Sequence, residues 1–493
     1  MGSRGSGYGP SPSRRREGAG TGSEPGAWSE MLADAALPVP AIRLHLQQGE
    51  VLLRALSQLL DDTPQLPPPP PPSIPAATAT TTTTSTAAAA AAAATTQAAT
   101  AAVREARAAV VEWRRVVLDV LGCLGRLALE HVRVREALGA AGASQGCVLA
   151  LRAVQAQMAA AELCTKGGER SLVDKDGIVK KPTVAEAEKE AEAALVAEER
   201  ATAQDTSRAA CVLLCHLLNP PAPSPPAETG ATDSEQAVCR QQSNQWALAR
   251  MGGAEALLAL LLPAQEPGKG ATDAGGEGAG GNGNAERRRW SGQMAAALTA
   301  LQRMVVGNIM TQTHVAECGS AAVIRTLAAA TRAAAASGDE AVQAAALRLL
   351  ADVARGGDAA HAAVRQMLLE AGALGAALAA LRDSVAAFGG CNGGREGSGN
   401  SGCADGGSAA SSGMEVSPVL MAALDAIHVL MGPSEQHVDG SEPPLALQAV
   451  VRRELRRLGA PRLLADCVRE LRLQQEDEQG EGRAQEETLG CGA

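Results

Sequence analysis

The chain is expected to be all-α, on three observations. Between Asp339 and Ser384, apolar residues recur at helical spacing in three short segments separated by glycines. Alanine supplies much of an apolar fraction of 46%, while aromatic residues make up only 1%. Small side chains suit closely packed helices, whereas strands favour β-branched and aromatic residues. Finally, no stretch alternates in polarity for long enough to form a sheet.

The 339–384 stretch sets the pattern. In its first segment, near 340–355, Val342, Ala345, Leu349, Leu350 and Val353 share one helix face. Gly356-Gly357 ends that segment, and Asp358 is placed to cap the next, where Val364, Met367 and Leu368 keep the period. Gly372 breaks the chain again before a third stripe of Leu374, Leu378 and Leu381. Three short helices, each apolar on one side, need neighbours of the same kind, which predicts a stacked solenoid.

Two parts of this stretch, L-R-L-L-A-D-V-A at Leu347–Ala354 and G-A-L-G-A-A-L-A-A-L at Gly372–Leu381, resemble the armadillo-repeat family. That family's pattern is a helix ending A-x-A-L-S-N-I-A, a short helix, then G-A-I-P-x-L-V-x-L-L. The resemblance implies a right-handed solenoid of armadillo-like repeats, here carrying low-complexity insertions.

Taken in order, residues 1–40 read as a disordered Gly/Ser/Arg tail. Its start, M-G-S-R-G-S, matches an acylation pattern at Gly2, with Arg14-Arg15-Arg16 as an electrostatic second signal; an organellar transit peptide is the alternative. No apolar signal-peptide core is present there. Residues 41–60 read as the last two helices of a partial repeat, hinged at Gly49. Residues 61–101, with six consecutive prolines and then Thr and Ala runs, read as a low-complexity linker.

The solenoid is expected over 102–473, with about five repeats. Val110–Leu129 is its first long helix, Val132–Leu138 a short one, and Gly142-Ala143 a hinge before Val148, Leu149, Leu151 and Val154. A charged insert at 165–204 reads as a solvated helix. The next unit starts at Thr206, with Ala210, Leu213, Leu214 and Leu217 as its stripe, ended by Asn219-Pro220-Pro221. An insert at 219–237, a short helix at Cys239–Met251 and a hinge at Gly253 follow. After an insert at 263–288, Met294–Val306 opens a further unit, hinged at Gly319. The 339–384 unit comes next, then inserts at 385–416 and 432–444 around a helix at Val419–Met431. Leu445–Arg457 and a hinge at Gly459 close the solenoid, and 474–493 is an acidic tail. The inserts fall between units, where one edge of a solenoid tolerates growth.

A net charge of −10 and the lack of aromatic stacking platforms argue against nucleic-acid binding. The eleven cysteines include no C-x-x-C pair. Cys123, Cys211 and Cys318 sit in apolar helical stretches as small hydrophobes, which fits a reducing, cytoplasmic setting, with nucleus and organelle left open. Apart from the Ala/Thr tract, no window of about 20 residues is apolar and uncharged. Adjacent Cys215 and His216 point about 100° apart on a helix, so they form no nucleophile–base pair. Cys211 and Cys215 share a face without further metal ligands, and the glycine runs at 275–284 and 389–402 lack Gly-Lys-Ser/Thr. No catalytic residue, metal or cofactor is expected, and the chain reads as a non-enzyme.

In the armadillo family, the Asn of L-S-N lines the concave groove. The corresponding positions are Arg126, His216, Arg303, Asp352 and His428, each polar within an apolar helix. They form either a plainly exposed face or a ladder for an extended partner segment. The importin α family also carries a Trp four residues earlier; Gly122, Val212, Thr299, Arg348 and Leu424 stand here, so nuclear-signal recognition is not expected. Arg452, Arg453, Arg456 and Arg457 form a basic patch on one helix, within reach of the acidic tail and suited to acidic partners. The function expected is a monomeric, protein-binding scaffold. A membrane-tethered adaptor acylated at Gly2 and an enzyme with a dispersed site are the alternatives.

Overall fold

The computed structural model describes residues 40–66, 85–168, 184–219, 242–261, 280–333, 340–356, 359–392 and 417–431, and the single positions 453, 456, 457, 462 and 465. Among these residues every regular element is a helix, and no strand occurs. The helices are α1 (Pro40–Asp61), α2 (Ser85–Glu130), α3 (Val132–Ala140), α4 (Ala143–Gly168), α5 (Val184–Leu217), α6 (242–250), α7 (Gly253–Leu261), α8 (Gly280–Val305), α9 (Ile309–Ala333), α10 (Glu340–Ala354), α11 (Ala359–Glu370), α12 (Ala373–Asn392) and α13 (Pro418–Met431).

They pack in two rows. In one, α2 lies on α5, α5 on α8, α8 on α10, and α10 on α13. In the other, α1, α4, α7, α9 and α12 follow one another the same way. The rows meet through α1–α2, α4–α5, α7–α8, α9–α10 and α12–α13. A single hydrophobic core runs along the junction, from Leu46 and Leu56 to Ile427 and Leu430. The apolar stripes explain it: Val342, Leu349, Leu350 and Val353 of α10 are all buried, as are Val364 and Leu368 of α11 and Leu374, Leu378 and Leu381 of α12.

The register repeats from unit to unit. Gly142, Gly252 and Gly372 have φ of 88°, 73° and 92° at the break between a short helix and the helix after it. Only glycine takes this conformation without a steric cost, so each turn is a left-handed helix stop. Across that break, buried Leu138 and Cys147, Leu248 and Leu257, and Leu368 and Ala377 are each nine positions apart. The hinge expected at Gly253 thus sits one residue earlier, because Gly253 already begins α7.

At Gly319 the expectation of a hinge fails. Helix α9 runs unbroken from Ile309 to Ala333. The spacing from buried Val315 to buried Val323 is eight, one residue fewer, which leaves no room for a turn. Gly319 serves close packing instead: a Cβ there would overlap the Leu258 side chain of α7.

Other expectations are corrected in the same way. Gly49 is buried inside a continuous α1 rather than at a hinge. The linker ends early, because its alanines and threonines from Ser85 onward belong to the 46-residue α2; alanine is the strongest helix former. The charged segment expected as a solvated helix is helical from Val184, as the first half of α5, and is exposed over 190–194, but Glu199 within it is 2% exposed where α5 packs on α2. Likewise α8 begins at Gly280, inside the expected 263–288 insert, and α12 extends to Asn392. Cys211 is buried, but Cys123 is half-buried and Cys318 is exposed rather than a core residue. Asp358, the Pro run, residues 1–39, the 432–444 insert and the 474–493 tail lie outside the described residues.

Candidate functional site

The row α2–α5–α8–α10–α13 carries the polar positions singled out in the sequence. Arg126, His216, Arg303, Asp352 and His428 lie in the last turn or so of these five successive helices. Arg126 and His428 are exposed, and the other three are half-buried.

At the α2–α5 junction the first two residues line one groove of about 400 Å³. Helix α2 contributes Leu118, Leu121, Gly122, Gly125, Arg126 and Leu129; α5 contributes Asp205, Arg208, Ala209, Val212 and His216. The groove exists because α2 presents glycines where a packed helix would present side chains. A Cβ at Gly122 or Gly125 would meet nothing within 4 Å. Its walls are apolar and open, with Leu129 64% and Val212 37% exposed. Arg126 sits at one side, where its Nη2 donates to Cys123 Sγ at 3.4 Å. Arg208 lies against Gly292 of α8, and Asp205 pairs with Arg289 of α8 at 3.8 Å. An apolar floor flanked by guanidinium groups suits a segment that carries apolar and acidic side chains together.

The remaining junctions are tied by side chains of the same row. Arg200 of α5 pairs with Glu286 of α8 at 3.4 Å, and Cys215 Sγ donates to Ala296 O at 3.7 Å. Gln302, next to Arg303, donates to Asp352 Oδ2 at 2.7 Å. Arg355 donates to Asp352 Oδ1 at 3.2 Å and to Asp425 Oδ2 of α13 at 2.7 Å. The row therefore changes character along its length: guanidinium-flanked and open at α2–α5, carboxylate-bearing and internally paired at α10–α13.

Two buried glutamines support ladder positions from behind, and both stand at a spacing that recurs along the chain. Arg135, Gln245, Gln312 and Arg365 each stand seven residues before Gly142, Gly252, Gly319 and Gly372 respectively. Gln245, fully buried, donates to the Arg303 and Val306 carbonyls at 2.8 and 3.0 Å. Gln312, 2% exposed, donates to Asp352 O at 2.9 Å. These amides satisfy carbonyls left open at the ends of α8 and α10. Arg365 instead donates to Ala354 and Gly356 carbonyls, at 3.3 and 2.6 Å, at the end of its own unit's α10.

No protein-family model, no curated protein and no solved structure matches this chain.

Burial first, and then the charge of Arg135, push the His216 imidazole below its ordinary value of 6.5. The folded chain thus binds this proton more weakly than the unfolded chain does. Stability from this position is intact above 6.5 and is lost as pH falls through it. His216→Gln should flatten the decline in stability between about pH 7.5 and pH 5.5, measured by urea unfolding. An equal decline in the variant would contradict this. At neutral pH the groove therefore presents a neutral imidazole beside two guanidiniums.

Next to the groove, earlier along α2 and α5, lies a buried polar cluster that the sequence did not reveal. Arg114 of α2 is fully buried; its Nε donates to Gln157 Oε1 of α4 at 3.0 Å and its Nη1 to Glu199 O of α5 at 2.6 Å. Glu199 forms ion pairs with Arg114 at 3.8 Å and with buried Arg107 at 3.9 Å. Thr206, also buried, donates to Arg114 O at 3.2 Å. Burial lowers the Arg114 guanidinium to about 10 against the pull of Glu199, and burial raises the Glu199 carboxyl against the pull of both arginines. The cluster locks α2, α4 and α5 in the relative positions that shape the groove.

Cys211 and Cys215 face the core. Burial pushes the Cys211 thiol up, and it pushes Cys215 up to about 12 despite Arg303. Among the described residues no group of three His, Cys, Asp or Glu could hold a metal ion, and no single helix is long and apolar enough to cross a membrane. Arg453, Arg456 and Arg457 are exposed helical positions, while Arg452 and Gly2 lie outside the described residues.

Proposed function

We propose that the chain is a non-enzymatic, monomeric, armadillo-like solenoid that holds an extended segment of a protein partner along the α2–α13 row. Two features support the solenoid reading: the two rows of serially packed helices and the recurring left-handed glycine turn. One observation carries the binding reading. The end of this row bears an open, apolar groove whose floor is glycine and whose sides are Arg126 and Arg208. An extended segment with an apolar residue beside acidic ones fits that chemistry. A reducing, cytoplasmic setting suits the free thiols at Cys123, Cys147, Cys211, Cys215 and Cys318.

The test is photo-crosslinking from within the groove. A photoreactive residue at Val212 should attach to a protein partner in cells, and one at Val51, which is 63% exposed on α1, should not. Equal crosslinking from both positions, or none from Val212, would refute the groove.

A further inference from the structure

The close approach of α7 and α9 at Gly319 assembles a second group of residues, away from the groove. Cys318 and His314 lie one turn apart on α9, on the same face, and the Cys318 Sγ is 3.9 Å from His314 Nδ1. The other ring nitrogen, Nε2, is 3.0 Å from Glu255 Oε1 in the first turn of α7. The absent side chain at Gly319, packed on Leu258 of α7, is what allows this reach. A carboxylate that accepts a hydrogen bond from Nε2–H fixes the tautomer. It leaves Nδ1 as an acceptor aimed at the thiol. This is a nucleophile, a base and an orienting group in sequence, with the sulfur exposed to solvent.

We propose that Cys318 is a reversible modification site that undergoes thiol–disulfide exchange with low-molecular-weight disulfides. The Cys318 Sγ attacks one sulfur of the disulfide as its proton passes to His314 Nδ1, and Glu255 stabilises the imidazolium. The new Sγ–S bond forms as the small disulfide's S–S bond breaks. The departing thiolate takes the proton back from His314 and leaves as a thiol. Electrons balance within the exchange: the small disulfide is reduced to one free thiol and one mixed-disulfide half, and Cys318 is oxidised. A small thiol reverses the reaction. His314 and Glu255 act through the thiol and are positioning residues. Among the described residues no second cysteine faces Cys318, so the product followed is the mixed disulfide.

Incubating the full chain with glutathione disulfide, with peptide mass spectrometry at timed intervals, tests this. Cys318 should gain the glutathione adduct ahead of Cys123, Cys147, Cys211 and Cys215. His314→Ala and Glu255→Gln should each slow the Cys318 adduct about three- to tenfold, with the slower Cys123 reaction unchanged in the same samples. Circular dichroism should show that both surface variants keep their helix content. A Cys318 rate unchanged in both variants would overturn the proposal, since exposure alone would then explain it. Equal slowing at Cys318 and Cys123 would overturn it too, as a general structural effect.

Discussion

Glu199→Leu is expected to cost the fold about 3–5 kcal/mol, the usual penalty for leaving a buried charge without its partner. Glu199 is 2% exposed and faces Arg114, fully buried, and Arg107, 3% exposed. Burial is the dominant influence on both Arg114 and Glu199. The pair is therefore not strongly stabilising as a pair. Each partner is nonetheless needed, because removing one strands the others in a low-dielectric interior. The triple replacement Arg107→Met/Arg114→Met/Glu199→Leu should recover most of the loss, since no charge then remains buried. Urea unfolding followed by circular dichroism measures both. A Glu199→Leu cost below about 1 kcal/mol would show the cluster to be solvated rather than buried.

Gly122→Trp is expected to abolish partner binding while leaving stability unchanged or raised by about 0.5 kcal/mol. The two effects separate because Gly122 sits mid-helix in α2 with nothing within 4 Å of where its Cβ would be. Replacing glycine in a helix removes backbone freedom from the unfolded chain. The indole, by contrast, fills the apolar floor between Leu121 of α2 and Val212 of α5. If this floor anchors the partner, the loss should be at least about 30-fold in Kd, as for a central interface anchor. Leu46→Ala, at a 1% exposed core residue of α1, serves as the opposite control: it should lower stability by about 2–5 kcal/mol. Partner affinity of its folded fraction should be unchanged.

How much of this was legible in the sequence differs by element. The α10–α11–α12 unit was, because its apolar stripes and glycines are local signals. The turns at Gly142 and Gly372 were legible for the same reason: glycine after an apolar stripe has few other uses there. Gly319 misled because the missing residue that straightens α9 shows only when buried positions are compared between units. The 184–204 segment was legible as a charged, largely exposed helix, but its buried Glu199 was not. Glu199 is buried only because Arg107 and Arg114 lie 92 and 85 positions earlier in the chain and arrive with α2. The ladder positions could be counted from helix ends. The groove between Arg126 and His216 could not, since it depends on how two helices 46 and 34 residues long cross. The relay of Glu255, His314 and Cys318 likewise needs two helices, although the spacing of His314 and Cys318 was visible.

The central claim is that the α2–α5 groove is where the chain meets a protein partner. The most direct measurement is isothermal titration of the Val212-crosslinked partner segment, made as a peptide, against the unmodified chain and Gly122→Trp, with unfolding curves of both run in parallel. The unmodified chain should show saturable one-to-one binding, and Gly122→Trp should bind at least about 30-fold more weakly at equal stability. Equal affinity for both chains would contradict it and would place the partner elsewhere on the molecule.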